Sequence, residues 1–206
     1  FQGDCFYALS GRLTAIDTGG GDSRLMIGAA TAVADQWVML GAGDTASDPM
    51  NTAHYGLAGE WLANAAAAVD VVSDRGKFNG STATGFDIDW LEVNGTSAWL
   101  YSVLALKGGG LYKATTVTTR TDATNFSSPS LGHQPVGQIL VSCCAVASTV
   151  DTLAAHDGMS IGSVASTTDR GAQGWRDTDA IATSETARAI EYDACYVNVS
   201  GGDVVI

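Results

Sequence analysis

Only a few residues of this sequence have the types and spacing that catalysis requires. Its three histidines, His54, His133 and His156, are scattered along the chain, and no Gly-x-Ser-x-Gly sequence marks a nucleophilic serine. Gly19–Gly21 is not followed by the Lys-Ser/Thr pair of a phosphate-binding loop, so it indicates a flexible turn. The sequence Asp177-Thr178-Asp179 lacks the glycine and terminal glutamate of an EF-hand loop, which favours a solvated loop over a calcium site. We therefore predict a protein that is not an enzyme and holds no metal or cofactor.

Asp87 and Asp89 have the spacing of a paired carboxylate site. Residues two apart on a strand share one face and lie about 7 Å apart, which would suit a glycosidase or a bound cation. However, Phe86, Ile88 and Trp90 alternate with the two aspartates and are apolar. This alternation is typical of a half-buried strand, so we predict that both carboxylates face solvent.

Aromatic side chains offer a second kind of chemistry, because exposed rings beside carboxylates can stack against sugars. The candidates are Trp37, Trp61, Trp90, Trp99 and Trp175. Trp90 and Trp99 flank a predicted turn, and pairing across the two strands would place both in the core. Trp175, between Gly174 and Arg176, is the best candidate for an exposed ligand-binding side chain.

The four cysteines, Cys5, Cys143, Cys144 and Cys195, match no zinc-binding pattern. Cys143 and Cys144 are adjacent in a strand-like apolar segment, so they point to opposite faces and do not bond each other. We expect buried free thiols. A disulfide between Cys5 and either Cys143 or Cys144 is left open.

The composition excludes several classes of partner. The chain has 206 residues and is 46% hydrophobic, which is enough to form a core. A net charge of -12 without a basic cluster argues against nucleic acid and anionic membranes, and no apolar run is long enough to span a bilayer. The acid is mostly aspartate, and the only lysines are Lys77, Lys107 and Lys113. This pattern suits a protein that works in salty water, or simply a soluble acidic surface.

An internal repeat is indicated by segments that match at an offset near 134. The matches, in chain order, are Phe6–Ser10 with Gln138–Ser142 (slightly out of step), Ile16–Thr18 with Val150–Thr152, Leu25–Ala29 with Met159–Ser163, Ala34–Gln36 with Thr168–Arg170, and Glu60–Asn64 with Cys195–Val199. Because the matches share one order and a nearly constant offset, we predict a duplication.

The rhythm of short strands and turns predicts an all-β fold with two tandem β-sandwich or jelly-roll-like units. Residues 1–110 form the first unit, and residues 111–206 the second, which is incomplete at its C-terminal end. Lys107–Gly110 is the linker, and Leu111–Thr119 opens the second unit as a strand. Asn94-Gly95 predicts a hairpin between strands at 85–93 and 99–106. The alanine-rich segment Leu57–Val72 favours a helix by propensity, but its repeat partner predicts strands, which we expect here too.

Several of these segments together resemble repeat units of phage and prophage virion proteins. They are Phe1-Gln2, Ile27-Gly28-Ala29, Gly85-Phe86, the sequence Tyr101-Ser-Val-Leu-Ala-Leu-Lys-Gly-Gly109, Ser160-Ile-Gly162, Asp169–Gln173 and Glu191-Tyr192-Asp193. Gly3 departs from the proline that follows Phe-Gln in that family, whereas Gln134-Pro135 keeps it. The resemblance implies a tail, fibre or capsid-surface component and supplies no catalytic residues.

These observations predict a non-enzymatic structural subunit of a virion or extracellular assembly, with further copies or other virion proteins as partners. A glycan-binding adhesin on the same fold is the alternative. Both ends of the sequence fall within strand-like segments. We therefore expect the parent polypeptide to extend past Phe1 and Ile206, or neighbouring molecules to supply the missing strands.

Overall fold

The computed structural model describes residues 4–10, 23–44, 51–65, 72–93, 100–108, 110–116, 131–143, 154–155, 157–177, 186–200 and 203–205. Within these ranges the chain forms strands and no helix, so the predicted all-β class is confirmed. The described part accordingly contains no helix that could cross a membrane.

Fifteen strands are described. The first eight are β1 (Cys5–Ser10), β2 (Ser23–Ala32), β3 (Asp35–Asp44), β4 (Asn51–Ala58), β5 (Leu62–Ala65), β6 (Val72–Ser81), β7 (Phe86–Val93) and β8 (Tyr101–Leu106). The others are β9 (Gln138–Cys143), β10 (Ala154–Ala155), β11 (Asp157–Val164), β12 (Arg170–Asp177), β13 (Thr186–Glu191), β14 (Asn198–Ser200) and β15 (Asp203–Val205).

These strands form four antiparallel sheets. A six-stranded sheet has the order β10-β4-β3-β2-β1-β8, and a three-stranded sheet has the order β5-β6-β7. A four-stranded sheet has the order β13-β12-β11-β9, and β14 pairs with β15. In the alanine-rich segment Leu57–Val72, the described residues include the end of β4, all of β5 and the first residue of β6. They form strands, as the repeat predicted, and not the helix that propensity favoured.

The largest core lies between the six-stranded and three-stranded sheets. Alternate side chains of β1 to β4 point into it, and aromatic rings fill its centre. The Phe6 and Trp61 ring centroids are 6.1 Å apart, and Trp61 meets Phe78 edge to face at 5.6 Å. Aromatic rings bury large areas and favour such tilted contacts, so this sandwich-like pair of sheets is the main source of stability.

The opposite face of the six-stranded sheet packs against the four-stranded sheet. Ile27 and Trp37 from the first and Met159 from the second are buried in this second cluster. A third cluster, on the far side of the four-stranded sheet, consists of Ala172, Ala189 and Val197. The sheets are therefore stacked in layers, with the six-stranded sheet buried on both faces.

The four-stranded sheet repeats the order and pairing of part of the six-stranded sheet. Strands β13-β12-β11-β9 correspond to β4-β3-β2-β1. Gly28 lies opposite Val38 in one sheet, and Gly162 lies opposite Ala172 in the other, 134 positions later in both cases. The pairing of β3 with β4 and of β12 with β13 keeps the same offset. The pairing of β9 follows that of β1 at an offset two residues shorter, as its sequence match indicated.

The predicted hairpin at Asn94-Gly95 is wrong for the described strands. Strand β7 pairs with β6, and β8 pairs with β1 in the six-stranded sheet; residues 94–99 lie outside the described ranges. Each strand has one apolar face, and placing them in opposite sheets turns both faces toward the same core. A turn-forming dipeptide does not decide between this arrangement and a hairpin.

Two further features differ from the sequence-based expectation. Of the strand predicted at Leu111–Thr119, residues 111–116 form no strand, and residues 117–119 lie outside the described ranges. Side chains of the six-stranded sheet contact this segment instead: Thr31 Oγ1 accepts a 3.0 Å hydrogen bond from the backbone N–H of Ala114. Strand β10, from the second half of the chain, pairs with β4 of the first. The two halves thus share one sheet.

Candidate functional site

The described residues among those weighed for catalysis are not gathered into one site. His54 lies on β4 at its pairing with β10, whereas His133 is half-buried in the segment before β9. His156, Gly19–Gly21 and Asp179 lie outside the described ranges. Among the described residues, no group of three or more His, Cys, Asp or Glu side chains is placed to hold a metal ion.

The aspartate pair on β7 faces solvent, as predicted. Asp87 and Asp89 are both exposed, while Phe86 and Ile88 pack against the main core. Asp89 accepts a 3.1 Å hydrogen bond from the side-chain amide of Asn79 on the neighbouring strand. The arrangement is that of a polar outer face.

Trp90 is 47% exposed, which contradicts its predicted place in the core. The pairing of β6 with β7 shifts between Arg75 and Gly76, opposite Trp90. The indole lies close to Gly76, which has no side chain to cover it, and its ring is 6.1 Å from that of Tyr101. Trp99 lies outside the described ranges.

Trp175, the predicted ligand-binding residue, is partly buried. It lies opposite Met159 on β11 and Arg188 on β13, and it packs against the second cluster between the sheets. One side of its ring therefore contributes to packing between layers. Binding of a ligand by the rest of the ring stays a prediction.

A groove of about 1290 Å³ lies between the two stacked sheets. One wall is formed by β1 and the segment 110–115, and the other by residues 131–140 with 163–170. Tyr7, Trp37 and Tyr112 give it aromatic surface, while His133 and Arg170 give it polar surface. No sequence motif indicated this groove, because its residues come from five separate parts of the chain.

Polar contacts fix the wall that carries Tyr112. Lys113 Nζ lies 2.5 Å from Asp35 Oδ1, and the adjacent Ala114 is tied to Thr31. Closer to β8, Asp4 Oδ2 accepts a 3.2 Å hydrogen bond from the backbone N–H of Gly108. These contacts anchor a segment that lacks strand pairing, so the groove has a defined edge.

The groove is uncharged where β1 borders it. Burial raises the pKa of Tyr7 to about 12, and the neighbouring Cys5 adds to this effect. Burial likewise raises the pKa of the Cys5 thiol, which is free and 3% exposed. Both groups are therefore protonated at neutral pH, so Cys5 is not a thiolate nucleophile.

A buried ionic group lies in the main core, away from the groove. Glu60 is 2% exposed, and its Oε1 lies 2.5 Å from an Arg75 guanidinium nitrogen. Tyr55 donates a 3.1 Å hydrogen bond to the other carboxylate oxygen. Sequence reasoning missed this group because its members come from β4, from the connection between β4 and β5, and from β6. Its closed geometry serves structure rather than ligand binding.

The comparisons with known proteins add no assignment. No family model, curated protein or solved structure matches this chain. The site is an open, partly aromatic groove beside strand edges. Its shape suits the binding of an extended polymer chain or of a flat ring such as a sugar. It is lined by no nucleophile and base that the described contacts bring together.

Proposed function

We propose that this protein is a non-enzymatic structural subunit of a virion or extracellular assembly, built from two tandem β-sandwich-like units near 1–110 and 111–206. The observation that carries the proposal is that two sheets with one strand order stack through equivalent faces. Leu25 and Ile27 of β2 pack in the same cluster as Met159 and Ile161 of β11. Met159 lies 134 positions after Leu25, and Ile161 lies 134 positions after Ile27.

Such packing has the form of an interface between two related subunits. In an isologous contact the same surface is used on both sides, and here the same face of each sheet is buried against the other. The close contacts of two glycines follow the same offset of 134 positions, since Gly28 corresponds to Gly162 and Trp61 to Cys195. A Cβ on Gly28 would lie 2.0 Å from the Trp61 carbonyl oxygen, and one on Gly162 would lie 1.9 Å from that of Cys195. This supports a duplicated unit whose natural partner is another such unit.

Exposed apolar side chains support contacts with further molecules. Leu104, Ile139, Leu111 and Val136 are 55% to 94% exposed, and the last three also line the groove. Soluble proteins that act alone rarely display clustered apolar surface, and larger patches mark interaction sites. Since the chain has 22 acidic residues against 10 basic ones, its self-association would rest on apolar burial and strand pairing rather than on ion pairs.

Sedimentation velocity over a range of protein and salt concentrations tests the assembly function. We expect species heavier than the 21.1 kDa chain, and we expect them to persist as salt rises, because screening relieves like-charge repulsion. Salt-induced dissociation would contradict the mechanism. Monomers under all conditions would contradict the function. Hydrolysis of a polysaccharide that Asp87→Asn abolishes would contradict the absence of enzymatic activity.

Glycan binding in the groove is the second candidate, favoured by the aromatic surface of Tyr7 and Tyr112. Rings that are fixed in place and flanked by polar groups can orient a sugar. Titration with oligosaccharides, followed by tryptophan fluorescence, should show saturation that Tyr112→Ala weakens. Trp175→Ala tests the residue predicted from sequence, and Tyr192→Ala is the matched control, since Tyr192 is 80% exposed and lies outside the groove.

A further inference from the structure

We propose that Asn79 is a site of spontaneous covalent modification, at which its side-chain amide reacts with the backbone nitrogen of Gly80 and is converted to aspartate or isoaspartate. The only reactants are the chain itself and water. The inference goes beyond the proposed function and does not depend on it, since it concerns one edge of the three-stranded sheet and needs no partner molecule.

The reaction has two steps, and neither oxidises nor reduces the chain. In the first, the Gly80 nitrogen gives up its proton and forms a bond to Asn79 Cγ, while the bond from Cγ to Nδ2 breaks and ammonia leaves with that proton. The product is a five-membered succinimide ring. In the second, water adds to one ring carbonyl and opens the ring. Attack at Cγ gives aspartate, and attack at the backbone carbonyl carbon gives isoaspartate.

Glycine after asparagine favours ring closure, because it carries no side chain that crowds the attacking nitrogen. The chain has two such pairs, Asn79-Gly80 and Asn94-Gly95, and the second lies outside the described ranges. Asn64, in the same sheet as Asn79, offers an internal comparison. It is 3% exposed and precedes an alanine, whose N–H donates a 2.9 Å hydrogen bond to the Asn64 side-chain oxygen. We therefore expect Asn79 to react and Asn64 not to.

A β-bulge gives the two reacting groups room. Phe78 lies opposite Ile88 and Gly80 lies opposite Asp87, so Asn79 is the extra residue of the bulge. Such a residue has no partner across the ladder, and the pairing around it is disrupted. Gly80 has a φ of +134°, which residues with a side chain rarely adopt, and a Cβ placed on it would have no atom within 4 Å. Asn79 itself is exposed, so water reaches the site.

The modification would convert an attraction between β6 and β7 into a repulsion. Asn79 Nδ2 donates a 3.1 Å hydrogen bond to Asp89 Oδ1. An ionised carboxylate can only accept hydrogen bonds, so the product has no donor for Asp89 and places a second negative charge beside it. The net charge changes from -12 to -13. Like charges on neighbouring strands weaken their pairing.

Isoaspartate has a further effect on the main chain. It adds one carbon atom to the backbone of β6, directly before the pairs that join Gly80 to Asp87 and Ser81 to Phe86. Phe86 packs against the main core. A shift of this register therefore loosens β7 from the core that the two sheets share.

Incubation of the folded full chain at mildly alkaline pH, followed by mass spectrometry, tests the reaction. Both Asn-Gly pairs fall in the tryptic peptide 78–107, so fragment ions must assign the converted residue. We expect conversion at Asn79 that increases with time, while Asn64 stays intact. Asn79→Gln is the control, since its longer side chain would have to close a six-membered ring, and position 79 should then stay unconverted. Conversion of Asn79 in the urea-unfolded chain but not in the folded one would overturn the proposal.

Urea unfolding at low salt tests the consequence for the sheet. Asn79→Asp reproduces one product, and we expect its unfolding midpoint to lie below that of the unaltered chain. Adding Asp89→Asn should restore the midpoint, because the pair again has one amide and one carboxylate. Adding Asp87→Asn instead is the matched control, which removes an exposed charge on β7 that does not contact Asn79 and should restore less. Equal midpoints for Asn79→Asp and the unaltered chain, or equal recovery with either second change, would overturn the proposed link between Asn79 and Asp89.

Discussion

The carbonyl oxygen of Trp61 lies against the Cα of Gly28, so closely that a Cβ added to Gly28 would be 2.0 Å from it. Gly28 is in the middle of β2, and Trp61 immediately precedes β5 in the facing sheet. Glycine is required here for close approach between two backbones, not for a turn. The contact sets the distance between the sheets and allows the Trp61 ring to pack beside Phe6 and Phe78.

Gly28→Ala should therefore destabilise the protein by about 2–3 kcal/mol, the upper part of the range for overpacking a filled core. The backbone of Trp61 must move, because a carbonyl oxygen cannot rotate away as a flexible side chain can. Urea unfolding followed by tryptophan fluorescence measures the change. Gly162→Ala should have a similar effect, since its Cβ would lie 1.9 Å from the Cys195 carbonyl oxygen.

Gly85→Ala is the matched control for both glycine substitutions. Its nearest neighbour would be Thr82 Oγ1 at 3.8 Å, an ordinary contact. The loss of glycine's freedom in the unfolded chain should make this variant neutral or slightly more stable. Equal unfolding midpoints for Gly28→Ala and Gly85→Ala would contradict the close-contact interpretation.

Gln36 links the six-stranded sheet to Phe78 of the three-stranded sheet. Its side-chain carbonyl accepts a 2.8 Å hydrogen bond from the Phe78 N–H, and its amide nitrogen donates to the Phe78 carbonyl at 3.2 Å. Gln36→Leu would leave both backbone groups buried without this partner, so we expect a loss of roughly 2–3 kcal/mol in the free energy of unfolding. Gln173→Leu, at an exposed position on β12, should change the free energy of unfolding by less than about 0.5 kcal/mol.

Local pattern predicted the features that depend on one strand at a time. The alternation of Phe86 and Ile88 with Asp87 and Asp89 correctly assigned the inner and outer faces of β7. It was wrong for Trp90 because a shift in the pairing with β6, near Gly76, is not visible in the sequence of β7 itself. The sheet face to which a side chain points follows from the alternation along its own strand. How much of that side chain is buried depends on the residues of the neighbouring strand.

Features that combine distant segments were beyond sequence reasoning. Gln36 and Phe78 are 42 positions apart, and their contact exists only once two sheets face each other. The groove likewise needs β1, the segment 110–115 and the segment before β9 to be brought together. The duplication matches indicated which strands correspond, but they contained no information on how the two sheets stack.

The Arg75–Glu60 pair should be costly to break from one side. Arg75→Met would leave the Glu60 carboxylate, 2% exposed, with Tyr55 and without its guanidinium partner. We expect a loss of about 3–5 kcal/mol at neutral pH, the usual range for removing one member of a buried ion pair. The double variant Glu60→Leu with Arg75→Met should recover part of this loss, because no uncompensated charge remains. If the double variant were no more stable than Arg75→Met, Glu60 would not be the source of the cost.

Stability should fall at alkaline pH in a way that depends on Tyr7. Burial raises the pKa of Tyr7 to about 12, above the value of about 10 for an unfolded tyrosine. The unfolded chain therefore releases this proton first, so the stabilisation is complete below about pH 10 and is lost as the pH rises from about 10 to about 12. Urea unfolding across this range should show a shallower decline for Tyr7→Phe than for the unaltered chain. Tyr192→Phe, which removes a phenol at an exposed position, is the control and should follow the unaltered chain; identical curves for all three proteins would show that Tyr7 does not couple folding to pH.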